Sequence, residues 1–493
     1  MYKLTYECSL RGIMMLKHLL NYFLGKGMPG IINFIAIAIY TRMLAPEEYG
    51  VYATVLATVT LINTTFFHWL RLGLLRLNSK YTNKNKINFL SSISAIFLSL
   101  LIFFIILGIL SSFLIPKNEN RLIIWFLGIT LLVMQSIFDI FTEYLRSELL
   151  SKVFGIIMFI KVTMSLTFSV IFINLQMGSV GIILGLICGT FIALIFIMPN
   201  YMFIIKYSFI DKLIIKEIIN YSLPFIAMLS MEAIIFSTDR FLISWMIGVE
   251  QTGLYAVSYD LAKQILIMLM MIINLASYPL IVKALEESGI EACKKQLQEN
   301  TTYLLMLSFP AMVALVILRD SITKTFLGNE YSLQASPIFA LVAVAIFLQG
   351  IKMFYFDLAF QLGKNTKLQI IPVGVAAVAN LLLNVILIPK YSVFGAAYST
   401  IISYVLSIVL SANLGKRAFS MGFPIMQFIK IFMATSVMGM VLCWFSFLSG
   451  IWGLLLQISI GFIIYIIMVL ILKIGDIHLL LSRAIDKRIK NYA

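Results

Sequence analysis

The chain has 493 residues, of which 61% are hydrophobic and 12% are charged, and its mean hydropathy is +1.00. This composition excludes an ordinary water-soluble domain and indicates a protein that lies in lipid. The net charge of +15 falls mainly in the loops between apolar segments, so it does not indicate nucleic acid as a partner.

Apolar runs long enough to cross a bilayer recur along the whole chain. A hydrocarbon core of about 30 Å takes about 20 helical residues to cross, and continuously apolar runs favour helices over the alternating strands of a barrel. We predict an all-α polytopic membrane protein with about fourteen transmembrane helices. Their approximate ranges are 17–40, 50–70, 88–114, 122–145, 152–174, 179–205, 217–247, 253–280, 300–318, 334–356, 368–388, 394–414, 427–448 and 451–472.

Lysine and arginine alternate between the two ends of these segments. Most of them lie before the first span, after the last span, and in every second loop, of which the first contains Arg71 to Lys86. The loops at the opposite ends hold only six: Arg42, Lys117, Arg121, Arg319, Lys324 and Lys390. Because cytoplasmic loops are rich in these residues, both termini are predicted to be cytoplasmic. The first apolar run has no cleavage site of small residues and is predicted to be a retained span, with Met1, Met14 or Met15 as the start.

The predicted orientation is testable with accessibility tags. Tags at residue 177 or 250 are expected to be accessible from outside the cell, and tags at residue 82, 290 or 490 from inside, because the positive loops stay in the cytoplasm. Protease protection on intact cells and on inverted vesicles measures this. A tag at 250 that is accessible from inside contradicts the orientation.

Catalytic and metal-binding patterns are absent from the sequence. The stretch QLGKNTK at 361–367 lacks the first glycine of a phosphate loop, and no segment between spans is long enough for the folded domain of a membrane transferase. The cysteines and histidines show no paired spacing: Cys8, Cys188, Cys293, Cys443, His18, His68 and His478. We expect no enzyme activity, no catalytic residue, no metal and no cofactor.

Two pairs of similar segments indicate an internal repeat. MLAPEEYGVYATVLA at 43–57 aligns with MIGVEQTGLYAVSYDLA at 246–262, which places Gly50 opposite Gly253, and GSVGIILGLICGT at 178–190 aligns with SVFGAAYSTIISY at 392–404. Six predicted spans separate the copies, so the halves run in the same direction. We predict a six-helix bundle at 1–208, its repeat at 209–418, and two extra helices with a basic cytoplasmic tail at 419–493.

At these residues the chain resembles a known family. LAPEEYGVYA, STDRFLISWMIGVEQTGLYAVSYDLA and NLLLNVILIPKYSVFGAAYST are similar to the polysaccharide-transport (Wzx-type) flippases of the MATE-like multidrug, oligosaccharidyl-lipid and polysaccharide exporter superfamily. The resemblance implies two bundles around a central cationic cavity. It also implies alternating-access transfer of an undecaprenyl-pyrophosphate-linked oligosaccharide, such as an O-antigen, lipopolysaccharide, capsule or exopolysaccharide unit, across the bacterial inner membrane.

Several alternatives remain open at this point. A MATE-like exporter of drugs or small cations has the same fold, and peptidoglycan or teichoic precursors are lipid-linked substrates of similar chemistry. A membrane glycan polymerase would require a large outer loop. The expected partners are the lipid-linked oligosaccharide, the membrane, and glycan polymerase or assembly proteins. The sequence leaves open which glycan is moved, the energy source and the oligomeric state.

Charged residues inside the apolar spans are the candidate site. Each charge near the bilayer centre costs at least about 2.5 kcal/mol on insertion scales, so such residues are functional candidates. The cations predicted to attract pyrophosphate and acidic sugars are Lys161, Arg240, Lys263 and Lys26. The acids predicted to couple protons or to form ion pairs are Asp239, Asp260 and Glu232. The alternatives are a salt bridge between spans seven and eight and, for Lys26, a side chain that reaches the interface.

Two further polar groups lie within predicted spans. Asn380 and Asn384 are four residues apart and are candidates to contact sugar hydroxyls, although helix packing is the more common use of such asparagines. Asp139, Glu143 and Arg146 near the inner end of span four are predicted to form an exposed charge ladder without a functional role.

Overall fold

The computed structural model describes residues 27–81, 84–114, 119–201, 209–223 and 225–475. These residues form helices, turns and short irregular connections, and no strand occurs among them. The all-α prediction is therefore confirmed. Lys26 lies outside the described residues.

The chain up to Gly253 forms one compact unit. Pro46 opens the second helix, where its missing N–H costs nothing, and Asp211 caps a later one by accepting a hydrogen bond from the Leu213 N–H at 2.7 Å. The helices of this unit are α1 (27–43), α2 (Pro46–Phe66), α3 (His68–Leu77), α4 (Lys84–Ser112), α5 (Glu119–Ser147), α6 (Ser151–Asn174), α7 (Gly178–Tyr201), α8 (Lys212–Ser222) and α9 (Phe225–Met246).

The second predicted span does not end in a loop but bends. Between α2 and the helical segment that starts with α3 the axis turns by 44° at Phe67. The Trp69 indole donates a hydrogen bond of 2.7 Å to the Phe66 carbonyl, which satisfies an oxygen at the end of α2. The predicted range of 50–70 is therefore wrong at its inner end, and the residues just beyond the bend remain helical.

Small residues bring α6 and α7 into close contact. A Cβ on Gly185 would lie 2.1 Å from Ser169 Oγ and 2.4 Å from the Ser169 backbone nitrogen, and one on Gly189 would meet Ser165 in the same way. The two backbones are thus packed at a distance that only glycine permits on α7. This contact fixes α6 within the unit.

Gly185→Leu is expected to destabilise the protein by about 3 kcal/mol or more, since the added side chain meets backbone atoms that cannot yield. The melting temperature in detergent and the amount of protein in the membrane measure the effect. Phe191→Leu on the same helix is the control, because Phe191 is exposed and its substitution should be nearly neutral. An unchanged melting temperature for Gly185→Leu would show that α6 and α7 do not pack this closely.

The chain from Leu254 onward forms the second compact unit. Its helices are α10 (Val249–Ile317, which begins in the first unit), α11 (Arg319–Phe326), α12 (Asn329–Ile351), α13 (Leu358–Leu362), α14 (Ile370–Tyr391), α15 (Val393–Ala418), α16 (Ile425–Trp444) and α17 (Gly450–Ile471). A π-helical turn joins α12 to α13, and α10 is broken at Gly289, where φ is 84°. The Tyr465 hydroxyl of α17 donates to the Met306 carbonyl of α10 at 2.8 Å, so the last helices belong to this unit.

The helices are those of a multi-pass membrane protein. Ten of the described helices are long and apolar enough to cross a membrane, and the number rises to twelve if each of two bent helix pairs is one span. Fourteen spans would require that α10 crosses twice, on either side of Gly289, and that α1 also crosses. The count of fourteen and the boundaries at 208/209 and 418/419 therefore stay predictions.

The aligned glycines have equivalent surroundings. A Cβ on Gly50 would lie 1.9 Å from the Val249 carbonyl oxygen, and one on Gly253 would lie 1.9 Å from the Pro46 carbonyl oxygen. Each glycine therefore contacts the residue that lies four positions before the other glycine. These contacts lie within the first unit. In the second pair, Gly181 and Gly395 each approach the backbone at the end of the preceding helix. The sequence repeat thus marks positions where helices approach closely.

Candidate functional site

A polar cavity of about 250 Å³ lies within the first unit, among membrane-spanning helices. It contains the lysine that the sequence predicted as a deep cation, together with charged and amide side chains from neighbouring helices. It is lined by Leu56, Val59, Thr60, Asn63 and Thr64 of α2, Arg71 of α3, Leu131, Gln135 and Asp139 of α5, Lys161 of α6, and Leu186 and Thr190 of α7.

Arg71 and Asp139 form the ion pair of this cavity. Arg71 Nη1 lies 2.5 Å from Asp139 Oδ2, and the two side chains are 15% and 18% exposed. Arg71 Nη2 donates to Asn63 Oδ1 at 2.9 Å, and Asn63 in turn donates to the Ser136 hydroxyl at 3.2 Å. Because the chain stays helical beyond the bend at Phe67, Arg71 lies on α3 beside α5. A residue next to the predicted cytoplasmic loop can therefore line the cavity.

Lys161 joins the same network through an amide. Its ammonium donates to Gln135 Oε1 at 2.7 Å, and Gln135 Nε2 donates to Asp139 Oδ1 at 2.7 Å. The ammonium also lies 4.2 Å from the centroid of the Phe138 ring, a cation–π contact. Lys161 is ten residues beyond Ser151, which puts it about 15 Å along α6.

The cavity has an excess of positive charge. Its lining contains the cations Arg71 and Lys161 but a single carboxylate, Asp139. Guanidinium and ammonium groups bind phosphate oxygens through short, charge-assisted hydrogen bonds. Among the described residues no group of three His, Cys, Asp or Glu could hold a metal ion. The arrangement is suited to holding an anion.

The predicted acid and base on α9 are placed differently from Lys161. Asp239 and Arg240 are each 1% exposed, and the Arg240 guanidinium lies 4.1 Å from the centroid of the Phe236 ring. The neighbouring Ser237 donates to the Ala57 carbonyl of α2 at 3.2 Å, so this part of α9 packs against α2. Glu232 is exposed. None of these side chains lines the cavity around Lys161.

The candidates in the second unit fall into two places. Asp260 and Lys263 are half-buried on α10, with the Lys263 ammonium 5.7 Å from the centroid of the Tyr259 ring. Asn380 and Asn384 are fully buried: Asn384 donates to Asn380 at 3.1 Å, and Asn380 donates to the Thr400 hydroxyl of α15 at 3.3 Å. This arrangement favours the packing interpretation of the two asparagines.

Four lining side chains of this hydrogen-bonded network are not among the candidate site residues predicted from the sequence: Arg71, Asp139, Gln135 and Asn63. Arg71 was assigned to the cytoplasmic rim, and Asp139 was predicted to lie in an exposed ladder, which is wrong because Asp139 pairs with Arg71 while Arg146 pairs with Glu143 at 2.9 Å. The available signal was the pair Gln135 and Asp139, which are four residues apart on one face of an apolar helix.

Known proteins give a consistent family assignment. The profile of the family described as polysaccharide biosynthesis protein matches residues 39–337. A probable low-salt glycan biosynthesis flippase, Agl15, of Haloferax volcanii is 24% identical over 46% of this chain and 49% of its own length. The match thus spans about half of that relative.

Two solved structures show the same fold. The lipid II flippase MurJ in an inward closed conformation superposes with a TM-score of 0.71 at 18% identity, over 91% of this chain and 98% of that one. An inward-facing multidrug transporter of the MATE family superposes with a TM-score of 0.59 at 12% identity, over 80% of this chain and 98% of that one. The resemblance noted from the sequence is confirmed, and the chain belongs to the polysaccharide biosynthesis protein family.

Proposed function

We propose that this protein is a flippase that moves an undecaprenyl-pyrophosphate-linked oligosaccharide across the bacterial inner membrane by alternating access, and that it is not an enzyme. The observation that carries the proposal is the net positive cavity of Arg71, Asp139 and Lys161 among membrane-spanning helices. Charged side chains among membrane-spanning helices are costly and commonly mark substrate or ion pathways. The name of the Haloferax volcanii relative, a glycan biosynthesis flippase, supports the same class.

In this proposal Arg71 and Lys161 hold the pyrophosphate. Asp139 pairs with Arg71 at 2.5 Å, so an arriving pyrophosphate replaces one oxygen partner of the guanidinium with another. Gln135 keeps Lys161 and Asp139 linked through its amide. The lipid chain stays in apolar surroundings while the two bundles open first inward and then outward.

The remaining predicted residues have secondary places in the proposal. Arg240, Lys263 and Lys26 are further cations for acidic sugars or pyrophosphate, and Asp239, Asp260 and Glu232 are candidates for proton coupling. Sugar contacts by Asn380 and Asn384 have less support, because both side chains are fully buried. The cytoplasmic position of both termini, the O-antigen or capsule nature of the glycan and contact with a glycan polymerase are part of the same proposal.

The charge of the cavity separates this proposal from the drug-exporter alternative. Exported drugs are commonly cations and need an anionic cavity, whereas the cavity described has two cations for one carboxylate. Precursors of peptidoglycan carry the same pyrophosphate, so that alternative shares the site and differs only in the glycan.

Deletion of the gene tests the proposal. Lipid-linked oligosaccharide is expected to accumulate on the cytoplasmic face of the membrane and to be depleted on the outer face, and re-expression of the full chain should reverse both. Extraction after labelling of each face with a membrane-impermeant lectin measures the distribution. Equal amounts on both faces in the deletion strain would contradict flipping, and an effect confined to peptidoglycan precursor would redirect the substrate.

A further inference from the structure

A second cavity of about 620 Å³ lies in the first unit among α2, α4 and α5. Its walls are apolar, with Val55, Phe104 and Leu132 among the lining side chains. The volume lies in the range of sites that hold small molecules, which are mostly apolar with a few placed polar groups. We call this cavity the apolar groove.

Four of the polar side chains along the apolar groove donate hydrogen bonds to backbone carbonyls. The hydroxyls of Thr54 and Thr58 each donate at 2.9 Å to a carbonyl four residues earlier, and the Ser111 hydroxyl donates to the Leu107 carbonyl at 2.7 Å. The Trp125 indole N–H donates to the Gly108 carbonyl at 2.9 Å. These side chains therefore present carbon to the groove, as a hydrocarbon chain requires.

A cation stands at one end of the apolar groove. Arg121 lines it near the start of α5 and is exposed, close to where α4 ends. Along α2 the groove extends from Val51 to Ile62, which is about 16 Å of helix. One end of the groove is thus charged, and the distribution of lysine and arginine among the loops predicts that this end lies at the outer face. The apolar part of the groove extends from there toward the middle of the membrane.

The inner end of the groove adjoins the charged cavity. Val59 lines both, and the neighbouring residues Leu131 and Leu132 line the cavity and the groove respectively. An anion held by Arg71 and Lys161 is therefore separated from the groove by one side-chain layer. A lipid attached to that anion has an apolar channel next to its attachment point.

We propose that the apolar groove holds the isoprenoid chain of the translocated lipid-linked pyrophosphate, with a phosphate oxygen bound by Arg121 at the outer end. This inference rests on the proposed function. We call the apolar groove together with Arg121 the exit site, because it would hold the lipid after its transfer to the outer leaflet. A headgroup at Arg121 with a chain that points inward has the orientation of a lipid in the outer leaflet. Continuity with the charged cavity favours the transported lipid over a phospholipid, which enters from the bilayer and has no need to reach Val59.

Photolabelling tests the exit site. The full chain is placed in nanodiscs of phosphatidylcholine with undecaprenyl pyrophosphate that carries a diazirine in its first isoprene units, and labelled residues are mapped by mass spectrometry. Label is expected within 51–62, 104–111 and 121–132. Loss of one charge-assisted hydrogen bond in Arg121→Gln should lower labelling about tenfold, whereas Arg121→Lys should retain most of it.

Gly128→Leu provides a variant that fills the groove. A Cβ on Gly128 would have Val55 Cγ1 at 3.5 Å as its nearest neighbour, so a larger side chain enters the groove without displacing backbone. Labelling should fall by roughly tenfold, because the added side chain occupies space that the isoprenoid chain needs. Thr130→Leu on the same helix is the control, because Thr130 is exposed and does not line the groove. Melting temperatures of all variants exclude misfolding as the cause.

Two outcomes overturn the exit site. Label confined to residues outside the three ranges shows that the chain does not enter the groove. Label within them that is displaced equally well by phosphatidylglycerol and by unlabelled undecaprenyl pyrophosphate identifies the groove as an ordinary lipid contact. If Gly128→Leu leaves labelling unchanged, the chain lies elsewhere. Surface glycan in cells that express Lys161→Ala is measured in parallel: its loss together with absent groove labelling refutes the exit site alone and leaves the proposed flippase function standing.

Discussion

Lys161→Ala is expected to abolish surface glycan while the protein is still inserted at a normal level. The Lys161 ammonium donates a hydrogen bond to Gln135 at 2.7 Å and lies against the Phe138 ring. Among the residues that the structure describes, no carboxylate lies within hydrogen-bond distance of this ammonium. It is therefore positioned to bind an incoming anion without first breaking a strong ion pair. Loss of this charge-assisted contact should reduce export at least about tenfold.

Lys161→Arg separates a need for charge from a need for shape. If the side chain binds pyrophosphate, arginine keeps the charge and substantial export should remain. Surface glycan and membrane abundance are measured together in a deletion strain that expresses each variant. Lys152→Ala is the matched control, because Lys152 lies on the same helix but is exposed near its start.

A structural lysine predicts a different pattern. If the buried charge of Lys161 only carries a desolvation cost, its removal should leave the membrane abundance of the protein equal to or higher than that of the unchanged protein, and transport should be intact. Normal surface glycan with normal abundance in Lys161→Ala would falsify the role assigned to this residue.

The sequence predicts the position of Lys161 along its helix but not its neighbours. Depth follows from counting residues along an apolar run, since a helix rises about 1.5 Å per residue. Contacts between α5 and α6 depend on how the helices rotate and tilt against one another, which the apolar pattern leaves undetermined because lipid-facing and packed positions are both apolar. Gln135, which links Lys161 to Asp139, therefore emerged only from the structure.

The position of Arg71 in the cavity follows from a bend that the sequence does not predict. The rule that cytoplasmic loops are positive placed it at the rim, because it follows an apolar run and precedes other cations. The bend at Phe67 has no proline or glycine to announce it. The aligned glycines were more informative: Gly50 and Gly253 were matched by sequence, and each lies where a Cβ would collide with a backbone oxygen. Close backbone contact restricts the residue type and is therefore visible in the sequence.

Neutralising Arg71 and Asp139 together is expected to restore abundance without restoring transport. Either single change, Arg71→Met or Asp139→Leu, leaves one largely buried charge without its 2.5 Å partner and should destabilise the protein by about 3 kcal/mol. Membrane abundance should fall in both single variants. The double variant removes both charges, and replacement of a buried pair by apolar side chains is often neutral or stabilising, so abundance should return.

Surface glycan in the double variant distinguishes the two roles of the pair. If Arg71 binds pyrophosphate, the double variant lacks that cation and export stays low despite normal abundance. If the pair only holds α3 against α5, export returns with abundance, and the assignment of Arg71 to the substrate site is wrong. The control is the exposed pair of Lys283 and Glu287, whose charged atoms lie 3.8 Å apart, where Lys283→Met with Glu287→Leu should change neither quantity, because exposed ion pairs contribute at most about 1 kcal/mol. Non-additivity of abundance between the single and double variants then measures the coupling of Arg71 to Asp139, and the glycan level of the double variant shows whether transport requires the charge of Arg71.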